Sequence, residues 1–283
     1  MTANLTISAL LAEGAAHLAS AGVDNPALDA ELLLAHAAGT RRARLKSHPE
    51  QIPEDAARVR YAELIDRRAR GEPLAYLVGY KDFWTLRLAV SPAVLVPRPE
   101  TELLVERALA LLPEATAARV LDLGTGSGAI ALALASERPH WQVTATDLSD
   151  IALEVARANA ASHGLKNVEF LLGDWFAPLA GRRFDLIVSN PPYIGAVEPE
   201  LATPALGYEP RSALSPGADA MTSLRTIVRA APPHLEHGGW LLLEHGATQA
   251  AEVARELVVR GFRHVRSRRD LAGHERMTEA QWA

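Results

Sequence analysis

No cysteine occurs in the 283 residues, which removes disulfides, thiolate metal sites and cysteine nucleophiles together. The ten histidines fall into no zinc-protease spacing, so any catalysis must rest on something other than sulfur or zinc. A surplus of basic charge is missing too: 29 Lys+Arg stand against 34 Asp+Glu, a formal net charge of -5. Proteins that coat polyanions usually lean the other way, so nucleic acid is not the default partner. No stretch approaches the roughly 18 uncharged apolar residues of a membrane span, and Glu13 arrives too early for a secretory leader. These absences lead us to expect a soluble, cytoplasmic protein without a membrane partner. What the chain does have is 48% apolar residues, enough for one large domain or for an ordinary domain with a small companion.

From Thr6 to about Arg70 the chain is rich in Ala and Leu at helical spacing: Leu10, Leu11, Ala15 and Leu18, then Leu28 and Leu32 to Leu34, then Val59, Leu64 and Ile65. Asp24-Asn25-Pro26, His48-Pro49 and Pro53 break it into separate helices. Gly71-Glu72-Pro73 marks a boundary, after which Trp84, Leu86, Leu88 and Val90 alternate with Thr85, Arg87 and Ala89 as a half-buried strand would. Beyond Pro113 short apolar runs alternate with amphipathic helices. The runs are Val120 to Leu123, Gln142 to Thr146, Val168 to Leu172, Phe184 to Ser189 and Trp240 to Glu244. The helices between and after them are Ala129 to Ala135, Ile151 to Ser162 and Thr248 to Val259. The expected architecture is α/β, a mostly parallel sheet with helices on both faces. Val265 and the stretch near Met277 add an antiparallel edge. We therefore expect a helical-bundle domain over residues 1–73, a β-hairpin linker over 74–97 and an α/β domain over 98–283.

Strand Val120 to Leu123 runs into Gly124-Thr125-Gly126-Ser127-Gly128 and then a helix near Ala129. Glycines there permit positive φ and let a ligand lie against bare backbone and helix N–H groups. The spacing is GxGxG, and Ala129 follows where the dinucleotide fingerprint has its third glycine one residue later. The next strand delivers Asp147 to the carboxyl edge, where a carboxylate can accept both hydroxyls of a ribose. Two readings of Asp147 stand side by side at this point, a ribose acceptor and an N-cap for the helix at Ile151, since Ser149 and Asp150 sit there as well.

Taken together, the glycine turn, the acid and the strand order resemble motif I and its acidic partner in class I methyltransferases that use S-adenosylmethionine. The resemblance implies that Gly124, Thr125, Gly126, Ser127, Gly128 and Asp147 bind that cofactor and that Asp122 lies near its methionine end. Trp175, in Gly173-Asp174-Trp175-Phe176, is implied beside the adenine, whereas Phe176 is as well explained by core packing.

The fourth parallel strand ends in Asn190-Pro191-Pro192-Tyr193. Two consecutive prolines fix φ and remove two backbone donors, leaving a rigid segment whose carbonyls are free to accept. A planar amide or amino nitrogen is a poor nucleophile because its lone pair is delocalised. If Asn190 Oδ1 and the Pro191 carbonyl accept its two hydrogens, the lone pair is steered toward an electrophile while Tyr193 covers the planar group. The tetrapeptide resembles that of methyltransferases acting on planar nitrogen, with Asn190, Pro191 and Tyr193 catalytic, Pro192 completing the substrate contact and Asn190 also touching the cofactor.

The resemblance then extends along nearly the whole chain. The helical domain, the hairpin, Leu95-Val96-Pro97-Arg98-Pro99-Glu100-Thr101-Glu102, residues 122–135, the Asn-Pro-Pro-Tyr turn and Gly207-Tyr208-Glu209-Pro210 are similar to the PrmC/HemK family, the release-factor glutamine methyltransferases. One departure is Ala220, where that pattern has a glycine. The family implies methylation of the glutamine amide in the Gly-Gly-Gln loop of peptide-chain release factors, by a monomer that contacts no nucleic acid sequence-specifically. Its close relatives define the alternatives: a glutamine of a ribosomal protein, or an amino group of a DNA or RNA base. The last demands base-reading and phosphate-binding surfaces that an acidic chain supplies poorly. Arg98 is as well placed to pair with a carboxylate as to serve the reaction, and the arginines from 260 to 269 read as a solvated edge strand.

Overall fold

The computed structural model describes residues 5–283, and they divide into two compact units. The first comprises the chain up to Tyr80 together with Thr203–Tyr208. It holds helices α1 (Ile7–Ser20), α2 (Pro26–Ala37), α3 (Arg42–Ser47), α4 (Asp55–Ala69) and α5 (Leu74–Val78). Local chemistry sets these limits: the Thr6 hydroxyl accepts from Ala9 N at the start of α1, and Pro26 opens α2 where its missing N–H costs nothing. Leu18, Leu33, Leu34 and Leu45 are buried in the core of this unit, and each fully buried leucine contributes roughly 1.5–3 kcal/mol. Gly14 lets α1 and α4 approach, since a Cβ there would lie 2.0 Å from the Tyr61 hydroxyl. That hydroxyl donates to the Leu10 carbonyl. Leu28 and Val59, both counted into the apolar stripes, are exposed instead.

The second unit is Lys81–Ala202 with Glu209–Ala283. Strands β1 (Tyr80–Phe83) and β2 (Leu86–Ala89) form the hairpin. It is shorter than the expected 74–97 segment: Leu74-Ala75-Tyr76-Leu77 forms a helical turn after Pro73, and Trp84 occupies the turn itself with φ +54° rather than a strand position. After α6 (Glu102–Leu111) come β3 (Arg119–Leu123), α7 (Ala129–Glu137), β4 (Gln142–Asp147), α8 (Asp150–Ser162), β5 (Val168–Leu172) and β6 (Phe184–Ser189). The unit finishes with α9 (Arg211–Leu214), α10 (Thr222–Ala230), β7 (Leu235–Glu244), α11 (Ala250–Arg260), β8 (Arg263–Arg269) and β9 (Glu275–Gln281).

The sheet order is β5-β4-β3-β6-β7-β9-β8, parallel from β5 through β7 and antiparallel at the β9 and β8 edge. Alternate residues of each strand enter two cores. Val120, Val143, Ala145, Leu186, Val188 and Leu242 face a layer with α6 and α7. Leu121, Leu123, Ile187, Leu241 and Leu243 face one with α10 and α11. This explains why the central strands read as unbroken apolar runs. Helix α7 is buried from Ala129 through Ala135. The edge strand β8 carries the predicted arginines, with Arg268 paired to Glu279 and Arg269 to Glu275. Chain order leaves β3 in one direction toward β4 and β5, then returns to the other side for β6 and β7. That reversal makes the carboxyl ends of β3, β4 and β6 a topological switch point, where open α/β sheets bind ligands.

Candidate active site

Three strand ends meet at the switch point. After β3 the turn 124–128 is anchored to the neighbouring strand through backbone: Gly124 N and Thr125 N both donate to the Thr146 carbonyl, at 2.9 and 3.0 Å. Gly124, Gly126 and Gly128 have φ of +72°, +56° and +87°, a region that costs a side-chain-bearing residue roughly 1–2 kcal/mol. Gly128 is constrained twice, because a Cβ there would also sit 2.9 Å from Leu132 Cδ1. Behind the turn Asp122 is fully buried; its Oδ2 accepts the Thr125 hydroxyl at 2.7 Å and Ala131 N at 3.2 Å. Its Oδ1 has no partner among the described residues. Burial pushes the Asp122 carboxyl up to about 7, against the pull of those two donors.

Asp147, at the end of β4, is not the cap of α8. Ser149 caps that helix, its Oγ accepting Ala152 N. Asp147 instead takes Gly126 N on Oδ2 at 2.8 Å and Ser149 N on Oδ1 at 2.9 Å. A carboxylate offers about four lone-pair directions, so capacity for two ligand hydroxyls remains. Burial raises the Asp147 carboxyl above its ordinary value while the backbone donors of Ser149, Gly126 and Leu148 hold it down.

A cavity of 230 Å³ opens on these groups. Of the residues singled out from the sequence, Gly124, Gly126, Asp147, Trp175, Asn190 and Pro192 line it. Asp122, Thr125, Ser127, Gly128, Pro191 and Tyr193 do not. Trp175 has φ +44°, strained for a tryptophan, and its ring reaches the turn, since a Cβ on Gly124 would lie 3.6 Å from it. Phe176 belongs to the core and stacks on His234 with ring centroids 4.7 Å apart. Val94, Leu95 and Leu148 complete an apolar wall. Leu148 is 70% exposed, and an apolar side chain directly after the edge acid was a sequence clue to a ligand face.

The Asn-Pro-Pro-Tyr turn leaves β6 where the Ser189 hydroxyl donates to the Leu123 carbonyl, locking two strand ends together. Asn190 Nδ2 donates to Thr101 Oγ1 at 3.1 Å. Its Oδ1 and the Pro191 carbonyl accept nothing from the described residues. The Tyr193 hydroxyl donates to Glu244 Oε1 at 3.3 Å, and its carbonyl accepts from Gln249 Nε2 at 3.0 Å. Burial, reinforced by the Glu244 charge, raises the Tyr193 phenol well above its ordinary value. Glu244 itself is 2% exposed; burial pushes its carboxyl up to about 7 against the pull of the nearby Thr101 and Tyr193 hydroxyls.

Glu244, Gln249 and Asn159 were not singled out from the sequence. Asn159 ties the Ala89 backbone to the Ser127 carbonyl and so joins β2 to the glycine turn. Arg98 pairs with Glu209, which also accepts Val96 N, so it pins backbone. At Ala220 the turn is carried by Asp219, whose side chain accepts Met221 N.

A glycine turn, an edge acid and a proline-stiffened amide around one switch-point cavity define a class I methyltransferase. The models of two families match the chain: the PrmC N-terminal domain over residues 9–79 and the methyltransferase small domain over residues 99–206. The release factor glutamine methyltransferase of Pseudomonas aeruginosa is 52% identical over 262 residues, covering 92% of this chain and 95% of that one. The enzyme of that name from Xylella fastidiosa is 51% identical over 251 residues, covering 89% and 91%. The chain belongs to the family of release factor glutamine methyltransferases. A Thermus thermophilus 16S rRNA methyltransferase solved with AdoMet and guanosine shares the fold, with a TM-score of 0.53 at 20% identity over 72% of this chain and 50% of that one. Among the described residues no helix is long and apolar enough to cross a membrane.

Proposed function

We propose that this protein methylates the side-chain amide nitrogen of the glutamine in the Gly-Gly-Gln motif of peptide-chain release factors, with S-adenosylmethionine as donor. The observation that carries the reading is the state of Asn190. Its amide nitrogen is committed to Thr101, which leaves Oδ1 of this cavity-lining residue as an open acceptor, and the carbonyl of the next residue, Pro191, is unengaged as well. Two open acceptors on consecutive residues suit the two hydrogens of a primary carboxamide.

The residues present fit S-adenosylmethionine. Gly124 and Gly126 offer bare backbone on the cavity floor, Asp147 supplies acceptors for a ribose diol, and Trp175 with Leu148 gives flat apolar surface for a purine. Asp122, Thr125, Ser127 and Gly128 shape this cradle from behind, the Asp122 carboxylate holding the turn that would face the methionine end. When bound, the cofactor supplies a methyl made electrophilic by its sulfonium.

The chain's own residues then do three things. Asn190 and Pro191 accept the amide hydrogens and so orient the nitrogen lone pair. Pro192 keeps that pair of acceptors from rotating away, and Tyr193 covers the flat group. No base is required before transfer, because the amide proton becomes acidic once nitrogen carries the new bond. With 29 Lys+Arg against 34 Asp+Glu the chain has no basic surplus to offer a phosphate backbone, and duplex DNA should leave the reaction untouched at physiological salt.

The test is incubation of the protein with labelled cofactor and a release factor, followed by mass mapping of the labelled peptide. Label on the Gly-Gly-Gln glutamine is expected. Label absent from that peptide, or recovered in nucleic acid, overturns the assignment.

A further inference from the structure

The middle of the Asn-Pro-Pro-Tyr turn cannot be tied down through an N–H, because Pro191 and Pro192 have none. Its anchors fall at the two ends. The near end is held through the Asn190 side chain, whose Nδ2 donates to Thr101 Oγ1 at 3.1 Å. The far end is held through main chain: the Tyr193 carbonyl accepts Gln249 Nε2 at 3.0 Å, and the next N–H, of Ile194, donates to the Leu214 carbonyl at 3.0 Å. Gln249 stands at the head of α11, 56 residues from Tyr193, and its amide has one workable orientation. Its Oε1 accepts Gly246 N at 2.7 Å; a backbone N–H only donates and a carbonyl only accepts, so a flipped amide would oppose like groups at both contacts. We propose that Gln249 is a positioning residue for the reaction: locked by Gly246 N, its amide nitrogen holds the Tyr193 carbonyl and so fixes the far end of the turn that carries the Asn190 and Pro191 acceptors. This rests on the reading of Asn190 given above.

Two further observations support it. A side-chain acceptor at the head of a helix ordinarily takes an N–H of the first turn, but the Gln249 side chain makes no such bond to α11. It turns back toward Gly246 and Tyr193 instead, so helix capping does not account for it. The second observation is the fit around Gly246. A Cβ on that residue would lie 3.1 Å from Gln249 Oε1 and 3.7 Å from Tyr193 Cδ2, so bare backbone there admits the glutamine amide and lets the tyrosine ring pass alongside. The Tyr193 hydroxyl reaches Glu244 Oε1 at 3.3 Å. The link from β7 to α11 thus grips Tyr193 by its phenol and by its carbonyl. Release of the carbonyl would let the stiff Pro191-Pro192 segment swing as a unit and carry both acceptors with it. A displacement of about 1 Å at a reacting group costs on the order of 10²-fold in rate.

Two variants separate holding Tyr193 from merely closing the link between β7 and α11, each assayed beside the wild type with full-length release factor at pH 8, well above the ordinary carboxylate range. Gln249→Glu keeps an oxygen for Gly246 N but sets an acceptor against the Tyr193 carbonyl. Gln249→Met, of similar length, makes neither bond. We expect kcat to drop about 10- to 100-fold in both, with Gln249→Glu at least as impaired as Gln249→Met although it is the more heat-stable of the two. S-adenosylmethionine affinity by calorimetry should stay within about twofold throughout. The proposal is overturned if Gln249→Glu keeps wild-type kcat, if Gln249→Met is the more impaired so that kcat follows thermal stability, or if cofactor affinity falls in step with kcat. Should either variant fail to fold, the kcat and cofactor affinity of the other decide. A wild type that leaves the release factor unlabelled would instead sink the functional assignment, and this proposal with it.

Discussion

The glycine turn and the Asn-Pro-Pro-Tyr turn sit on neighbouring strands and face one cavity, yet they are held in different ways. The turn at 124–128 is stabilised by backbone: its N–H groups reach the Thr146 carbonyl and the adjacent Asp147 carboxylate. The turn at 190–193 is stabilised by side chains far away in sequence. Thr101 is 89 residues from Asn190, Glu244 is 51 from Tyr193 and Gln249 is 56 from it. One half of the site therefore depends on φ and on contacts within a short stretch of chain, the Thr125 hydroxyl on Asp122 among them. The other half depends on which atoms donate and which accept. A cradle can be specified locally, whereas an amide clamp must be specified by the tertiary fold.

The sharpest way to break that comparison is Asn190→Ala. Turnover should fall about 10²- to 10³-fold, as removal of one preorganised hydrogen-bonding group does elsewhere, while cofactor affinity measured by calorimetry moves little. A parallel loss of both would mean that the two halves are not separate. Asp147→Ala should do the reverse. It removes a charged acceptor, each hydrogen bond to which contributes roughly 1.5–3 kcal/mol, so S-adenosylmethionine should bind on the order of tenfold to a hundredfold more weakly. An unchanged affinity would take Asp147 out of the site. Gly124→Ala, at φ +72° and in ordinary contact with Trp175, should cost about 1–2 kcal/mol in thermal unfolding from backbone strain alone. Equal stability would show that the turn is not locked.

The remaining prediction concerns pH. Asp122 and Glu244 are both raised to about 7 in the folded state from ordinary values of 3.8 and 4.5. Between those limits the folded chain binds protons that the unfolded chain has released, so stability declines as pH rises from about 4 to 7. Thermal unfolding between pH 5 and 8 should show this slope, and Asp122→Asn should flatten part of it. A wild-type protein that grows more stable over that range would contradict the burial of these two carboxyls.

Most of the α/β architecture was legible because strands buried on both faces write continuous apolar runs. Val120 to Leu123 and Phe184 to Ser189 fall on β3 and β6 almost to the residue. The short helices α3 and α5 were not legible, since one or two turns leave too few residues for a period to show. Helices α6 and α10 also went unmarked. At the site the turn glycines, Asp147 and Asn190 could be read because each follows a strand directly. Glu244 could not, because a glutamate closing an apolar strand reads as the end of burial. Its Tyr193 partner exists only once β7 lies beside β6. Asp147 shows a related limit: its proximity to α8 left a cap reading beside the ligand one, and the closure of Asp147 onto Gly126 N emerges only when β3 and β4 are paired.

Trp175 carries a practical consequence. The chain has five tryptophans, and this one lines the cavity with its indole beside Gly124. Any purine seated on that wall would stack against the indole and quench its emission, so the molecule comes with an optical gauge of its own occupancy, readable in a simple titration before any methyl group has moved.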